Sequence, residues 1–152
     1  MPISLNQEEM MREIIIDNYK NPRNFKETDD PSYITIHMDS DSCIDDIYIQ
    51  VKIKDGIIED ALWHGKGCAI SSASTSIMTE NIKGKNEKEA MKMMEEFNKM
   101  LAGQPYDEEA LGDAICFANV NRQPSRITCA NISWRGLAKA FKEEEEKEHE
   151  SK

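Results

Sequence analysis

Apolar and polar residues alternate through residues 47–54, and the chain then turns at Asp55-Gly56. A period of two predicts a β-strand with one buried face. Asp-Gly favours a two-residue hairpin turn, because both residues tolerate a positive φ. A returning strand is predicted over residues 57–63, and a similar alternation over residues 34–38 adds an earlier strand. The simplest arrangement is a three-stranded antiparallel sheet.

Helical patterns precede and follow these strands along the sequence. An apolar side predicts a first helix over residues 6–20, ended by Asn21-Pro22. Four more helices are predicted: 69–83, one that begins after Asn86, 107–119, and a last one around 134–141. Since most helices follow the strands, we expect an α+β fold in which helices cover one face of the antiparallel sheet. We expect one domain over residues 1–141 and an acidic tail over residues 142–152.

The charge balance excludes several classes of protein. The 152 residues include 29 acidic and 19 basic side chains, which give a net charge of −10. Nucleic-acid binders and proteins attracted to anionic membranes present basic surfaces, so neither class is expected. No apolar run is long enough to span a bilayer, and residues 1–9 lack the features of a signal peptide. The expected location is therefore the cytoplasm.

Four cysteines are spread along the chain, and no CxxC pair occurs. In reducing cytosol, disulfides are not expected. Cys43 lies in a loop with four nearby aspartates, which disfavour a thiolate unless a cation is bound. Cys68 follows Gly65 and Gly67 at a helix start, where the free N–H groups suit a negatively charged ligand. Cys129 is expected just ahead of the last helix, and Cys116 in an apolar run is expected in the core.

Two interpretations of Cys43, Cys68 and Cys129 stay open on residue chemistry alone. In the first, each of the three is a structural cysteine. In the second, the three cysteines converge on one metal ion, and Asp45 is the oxygen ligand that completes a tetrahedral zinc site. The Cys43 loop is correspondingly an acidic surface loop or part of that site. His64 is an alternative ligand. Arg126 either pairs with Asp45 or a thiolate, or lies on the surface.

Several motifs together resemble one family. They occur in the family's order and reach to about Phe141: Asp17-Asn18-Tyr19-Lys20-Asn21-Pro22-Arg23-Asn24, Gly65-Lys66-Gly67-Cys68-Ala69-Ile70-Ser71, Ile82-Lys83-Gly84-Lys85, Arg126-Ile127-Thr128-Cys129-Ala130 and Ser133-Trp134. On these motifs the chain resembles the SufU-type members of the IscU/NifU N-terminal family of iron–sulfur assembly proteins.

The resemblance implies a metal site made of Cys43, Asp45, Cys68 and Cys129, holding zinc or, alternatively, an iron–sulfur cluster. It implies that Cys43 accepts persulfide sulfur from a cysteine desulfurase of the SufS type and that Arg126 assists near the site. Downstream iron–sulfur assembly proteins would be further partners. Thr128 stands where IscU places a histidine, as in SufU-type members.

The first cysteine loop departs from the family. Members usually read Pro-Thr-Cys-Gly-Asp, whereas this chain reads Asp41-Ser42-Cys43-Ile44-Asp45. Glycine permits unusual dihedral angles that β-branched Ile44 restricts, so a differently shaped loop is expected.

Three functions follow as hypotheses. The first is a zinc-dependent, sulfurtransferase-like acceptor of persulfide sulfur. The second is a scaffold on which an iron–sulfur cluster is assembled and passed on. The third is a zinc-stabilised interaction module without chemistry.

Overall fold

The computed structural model describes residues 5–39 and 45–150. Over these residues the chain forms three strands, five α-helices and one 3₁₀ segment. In chain order they are α1 (Leu5–Lys20), β1 (Ile34–Asp39), β2 (Asp46–Lys54), β3 (Ile57–Lys66), α2 (Ala69–Ile82), α3 (Glu87–Leu101), α4 (Glu108–Leu111), the 3₁₀ segment (Gly112–Arg122) and α5 (Pro124–Glu150).

The predicted antiparallel sheet is confirmed, with strand order β1-β2-β3. Asp55 and Gly56 form the turn between β2 and β3 with φ values of 54° and 78°, as the hairpin signal requires. Ile36 pairs with Ile49, and Ile49 pairs with Trp63, so these inward side chains share one face. The inward face packs against α2 and α5. The predicted α+β class, with helices covering one face, is confirmed.

Aromatic side chains fill the core between the helices. Phe97 of α3 stacks on Trp134 of α5 at 4.5 Å between ring centroids, and Phe117 meets Phe97 edge-on at 6.0 Å. All three rings are fully buried. Helix α3 begins at the predicted capping box, in which Asn86 and Glu89 exchange hydrogen bonds of 2.8 and 3.2 Å.

The segment that leaves α1 is held against α2. The Ser76 hydroxyl donates to Asn18 Oδ1 at 2.8 Å and accepts from the Arg23 N–H at 2.8 Å. Asn24 adopts a φ of 60° and donates to Thr79 Oγ1 at 3.0 Å. The motif around Pro22 therefore fixes α1 on α2, the helix that carries Cys68 at its start.

Two helix predictions were wrong. The single helix predicted over 107–119 is a short α4 followed by the 3₁₀ segment, because the backbone breaks at Gly112 with a φ of 52° and a ψ of −130°. Helix α5 begins at Pro124, so Cys129 lies inside the helix and not ahead of it. Proline suits the first position of a helix, since its fixed φ is helical and it lacks only an N–H that would stay unpaired there. At its other end, α5 continues through the acidic residues to Glu150.

Candidate metal centre

Three side chains from distant parts of the chain converge at one end of the sheet. Asp45 lies directly before β2, Cys68 caps the start of α2, and Cys129 lies in the second turn of α5. One ligand atom from each, two sulfurs and a carboxylate oxygen, all lie within 4.8 Å of one another. The separation is small enough for one ion to contact all three atoms.

Cys68 is fixed by the helix that it caps. Its backbone is extended, with a φ of −68° and a ψ of 173°, and its sulfur accepts from the Ser71 N–H at 3.4 Å. The sulfur therefore sits at the positive end of the α2 dipole, which stabilises a negatively charged ligand. The side chain is half-buried, so it stays accessible from the surface.

Asp45 has one satisfied and one unsatisfied oxygen. The residue is only 2% exposed. Oδ1 accepts from the Cys68 N–H at 3.1 Å and from the Ser71 hydroxyl at 2.6 Å. Oδ2 is buried and has no hydrogen-bond partner among the described residues. A buried carboxylate oxygen without a partner is costly, and a cation held through Oδ2 removes that cost.

The donor set fits zinc. Zinc combines cysteine sulfur and carboxylate oxygen in four-coordinate sites. Cys68 and Cys129 offer sulfur and Asp45 offers a carboxylate oxygen, of which Oδ2 is the one without a hydrogen-bond partner among the described residues. One position is left for a further ligand. The same donors also suit iron.

Cys129 is held in place by a polar contact between two helices. The Ser74 hydroxyl of α2 donates to the Ala130 carbonyl of α5 at 2.5 Å and accepts from the Trp134 indole N–H at 3.0 Å. Both bonds are buried and lie within one or two turns of Cys129. They set the axial position of α5 against α2, and thereby the position of Cys129 beside Cys68.

Comparisons with known proteins agree with this geometry. The family model described as NifU-like N terminal domain matches residues 10–143. The chain belongs to the NifU-like N-terminal domain family. The match covers β1 to β3 and α2 to most of α5, and therefore all three converging residues.

Curated relatives of this NifU-like domain carry two kinds of name. The zinc-dependent sulfurtransferase SufU of Bacillus subtilis is 40% identical over 146 residues, which are 95% of this chain and 98% of that protein. The iron-sulfur cluster assembly scaffold protein IscU of Thermotoga maritima is 34% identical over 133 residues, 88% of this chain and 93% of the relative.

A solved structure shows the same fold. The crystal structure of a proposed iron–sulfur cluster assembly scaffold protein for the SUF system, from Fervidobacterium islandicum, superposes with a TM-score of 0.81. The two chains are 32% identical, and the match covers 87% of this NifU-like domain and 97% of the other chain.

The structure does not place two of the predicted site residues in the converging group. Cys43 falls outside the described residues, so its role stays a prediction. Arg126 lies exposed in the first turn of α5, where it lines a cavity of about 370 Å³ together with Ile70 and Cys116. Within residues 5–39 and 45–150, its guanidinium makes no ion pair with Asp45, whose Oδ1 binds Cys68 and Ser71 instead. A catalytic role for Arg126 also stays a prediction.

His64 is not part of the converging group. Its ring stacks on Tyr48 at 4.8 Å on the outer face of the sheet, and its Nε2 lies 3.4 Å from Glu27 Oε1. The alternative of His64 as a ligand is therefore wrong for this arrangement. Cys116 is in the core as predicted, at 3% exposure.

Two site residues were missed by sequence reasoning, Ser71 and Ser74. Both are fully buried on α2 and both make the hydrogen bonds that hold the converging residues. Their spacing from Cys68 was the available signal: Ser71 is the third residue after a helix cap, where the backbone N–H donates to a capping side chain. The Ser- and Ala-rich composition of α2 indicated only close packing.

Proposed function

We propose that this NifU-like domain is a zinc-dependent acceptor of persulfide sulfur, supplied by a cysteine desulfurase for iron–sulfur cluster assembly. The observation that carries the proposal is the convergence of Asp45, Cys68 and Cys129, with the buried Asp45 Oδ2 left for a cation. The name of the Bacillus subtilis relative, a zinc-dependent sulfurtransferase, supports the same chemistry.

The proposed ligands are Asp45, Cys68 and Cys129, with Cys43 as the fourth. When bound, zinc favours the deprotonated form of the cysteines that hold it. The surrounding residues hold the proposed ligands in position for the metal. The α2 N-terminus holds the Cys68 sulfur, the Ser71 hydroxyl orients Asp45, and the Ser74 bonds hold the turn that carries Cys129.

Cys43 is the proposed acceptor of sulfur. Its thiolate attacks the terminal sulfur of the desulfurase persulfide and forms a new S–S bond. The original S–S bond breaks, and the desulfurase cysteine leaves as a thiolate. No electrons are gained or lost overall, since one persulfide replaces another. The rate of such exchange follows thiolate fraction and access.

Arg126 is the proposed electrostatic aid. It is an exposed cation on the same helix as Cys129 and one turn before it. A persulfide is an anion, so a guanidinium near the site attracts the sulfur donor and stabilises the charge that moves during transfer.

The setting of the reaction follows from the same proposal. We place it in the cytoplasm, with a SufS-type desulfurase as donor and downstream iron–sulfur assembly proteins as recipients. Over the described residues, no helix combines the length and apolar character that crossing a bilayer requires.

We also propose that residues 1–141 act as one domain and residues 142–152 as an acidic tail. The family match over residues 10–143 supports this division.

The experiment combines metal analysis with detection of the transferred sulfur. Purified protein should contain zinc by elemental analysis. After incubation with a SufS-type desulfurase and cysteine, mass spectrometry should find one added sulfur atom on Cys43. Cys43→Ala should abolish stimulation of the desulfurase, while Cys116→Ala, as the matched control, should keep it. Undiminished stimulation by Cys43→Ala contradicts the acceptor role.

A cluster scaffold is the second candidate, favoured by the names of IscU relatives from Thermotoga maritima and Streptococcus pyogenes. Two cysteines, one aspartate and Cys43 would ligate the cluster, and an oxygen ligand would favour its later release. Anaerobic purification decides between the two: a brown protein with visible absorption indicates the scaffold, and a colourless zinc protein indicates the acceptor. Zinc without any persulfide on Cys43 would leave only an interaction module.

A further inference from the structure

Ser71 contacts two of the three converging residues at once. The side chain is fully buried in the first turn of α2. Its hydroxyl donates to Asp45 Oδ1 at 2.6 Å, and its backbone N–H donates to Cys68 Sγ at 3.4 Å. Ser71 thus joins the oxygen ligand to the sulfur ligand without being a ligand itself.

The two carboxylate oxygens of Asp45 differ in their hydrogen bonding. Oδ1 has two donors, the Ser71 hydroxyl and the Cys68 N–H. Oδ2 is buried and has none among the described residues. Because hydrogen bonds to Oδ1 fix the carboxylate plane, only Oδ2 is available to a cation.

We infer that Ser71 is a positioning residue that restricts Asp45 to one-oxygen ligation through Oδ2. This inference rests on the proposed metal site. Ligation by one Asp45 oxygen and two sulfurs leaves one position in the four-coordinate tetrahedral geometry of structural zinc, whereas ligation by both Asp45 oxygens raises the coordination number. Without the Ser71 hydroxyl, Oδ1 keeps one donor, the carboxylate turns, and both oxygens compete for the ion. Hydrogen-bond partners of metal ligands commonly change affinity in this way.

Gly67 leaves the space that this arrangement needs. A Cβ at position 67 would collide with Ser71 Oγ and lie 3.2 Å from Asp45 Oδ1. Any larger residue there pushes the Ser71 hydroxyl away from Asp45. The glycine before Cys68 therefore serves the Ser71–Asp45 hydrogen bond as well as the turn.

The test compares Ser71→Ala with Ser76→Ala in the full chain. Ser76 is equally buried on the same helix and also makes two side-chain hydrogen bonds, but these go to Asn18 and Arg23 and not to a converging residue. Zinc affinity is measured by competition with a chromophoric chelator. Ser71→Ala should bind zinc about 10–100-fold more weakly than wild type, whereas Ser76→Ala should keep the wild-type affinity.

A spectroscopic readout follows the coordination directly. Cobalt(II) replaces zinc, and its visible absorption is intense in four-coordinate sites and weaker at higher coordination numbers. The absorption of Ser71→Ala should fall, and that of Ser76→Ala should match wild type. This readout does not depend on desulfurase activity, and overall stability does not change the colour of the folded, loaded protein.

The outcomes separate the inference from the function on which it rests. If wild type takes up no zinc or cobalt, the metal site itself is wrong. If wild type binds and Ser71→Ala has the same affinity and cobalt spectrum, only the role of Ser71 is overturned. Gly67→Ala disturbs the same hydrogen bond from the loop. Should Ser71→Ala not fold, weakened zinc binding by Gly67→Ala supports the inference, and wild-type affinity overturns it.

Discussion

Cys129 and Cys116 are equally hidden from solvent and yet have opposite surroundings. They are 5% and 3% exposed. The sulfur of Cys129 lies within 4.8 Å of Cys68 Sγ and an Asp45 oxygen. Cys116 belongs to the hydrophobic core, and burial raises the pKa of its thiol, with the Asp113 charge adding to the rise. Burial thus does not distinguish a proposed metal ligand from a core cysteine. The neighbouring donor atoms do, and each prediction below tests that difference.

The largest expected difference is in metal content. Cys129→Ala should lose zinc, because Asp45 and Cys68 then keep only half of the proposed ligands. Cys116→Ala should keep about one zinc per chain and lose about 1 kcal/mol of unfolding free energy. Elemental analysis after gel filtration measures the first result and urea unfolding the second. Zinc loss in both variants would mean that the two cysteines do not differ as proposed.

The second largest expected difference is in the alkylation rates of Cys68 and Cys116. In zinc-free protein the half-buried Cys68 should react with iodoacetamide, and added zinc should slow that reaction, because a metal-bound thiolate is shielded. Cys116 should stay unmodified with or without zinc until the protein is unfolded. Peptide mass spectrometry after timed alkylation identifies the modified positions. Modification of Cys116 before Cys68 in folded protein is the contrary result.

Removing the contact that positions Cys129 should cost stability. Ser74→Ala deletes the bonds to the Ala130 carbonyl and from the Trp134 indole N–H, and it leaves the buried indole N–H without this partner. The expected loss is about 1–3 kcal/mol of unfolding free energy, together with weaker zinc binding, by urea unfolding and chelator competition.

Ser133→Ala is the matched control for this change. Ser133 is also fully buried, but its hydroxyl has no hydrogen-bond partner among the described residues. Its replacement should leave both stability and zinc affinity close to wild type. Equal losses in the two variants would show that a buried serine, and not the bond between α2 and α5, is what matters.

The smallest expected difference is in alkaline stability. The pKa of Cys116 is raised in the folded state, so folded protein keeps its thiol proton while the unfolded chain releases it above about pH 8.5. The stability contribution is therefore present below that pH and is lost as the pH rises. The loss approaches about 1.4 kcal/mol per pH unit.

Cys116→Ala should remove the part of the decrease in unfolding free energy with rising pH that comes from this thiol. Urea unfolding of zinc-free wild type and variant, between pH 8 and about pH 10, measures it. Tyr33, whose pKa is raised to about 12 by its hydrogen bond to Asp60, contributes equally to both proteins. Parallel pH profiles would show that the Cys116 thiol ionises as readily folded as unfolded.

The hairpin and the α3 start were predictable because they are local. Asp55-Gly56 determines its own φ angles, and alternation over residues 47–54 determines which side chains face inward. The Asn86–Glu89 box closes within four residues. In such cases the physical cause lies within a few neighbouring residues, so a single sequence contains it.

The site was only partly predictable. Residue chemistry left Cys68 and Cys129 open between core and ligand, and the family motifs singled them out together with Asp45. The relative positions of the proposed ligands depend on contacts between α2 and α5, which no local pattern contains. For the same reason, Ser71 and Ser74 looked like small packing residues.

The sequence by itself determined the strands, their turn, the helix cap at Asn86 and the residue types able to bind a metal. The tertiary structure decided that an Asp45 carboxylate oxygen and the sulfurs of Cys68 and Cys129 lie within 4.8 Å of one another. The reason is physical: backbone angles and amphipathic periods depend on near neighbours, whereas a ligand set depends on how whole helices pack on the sheet.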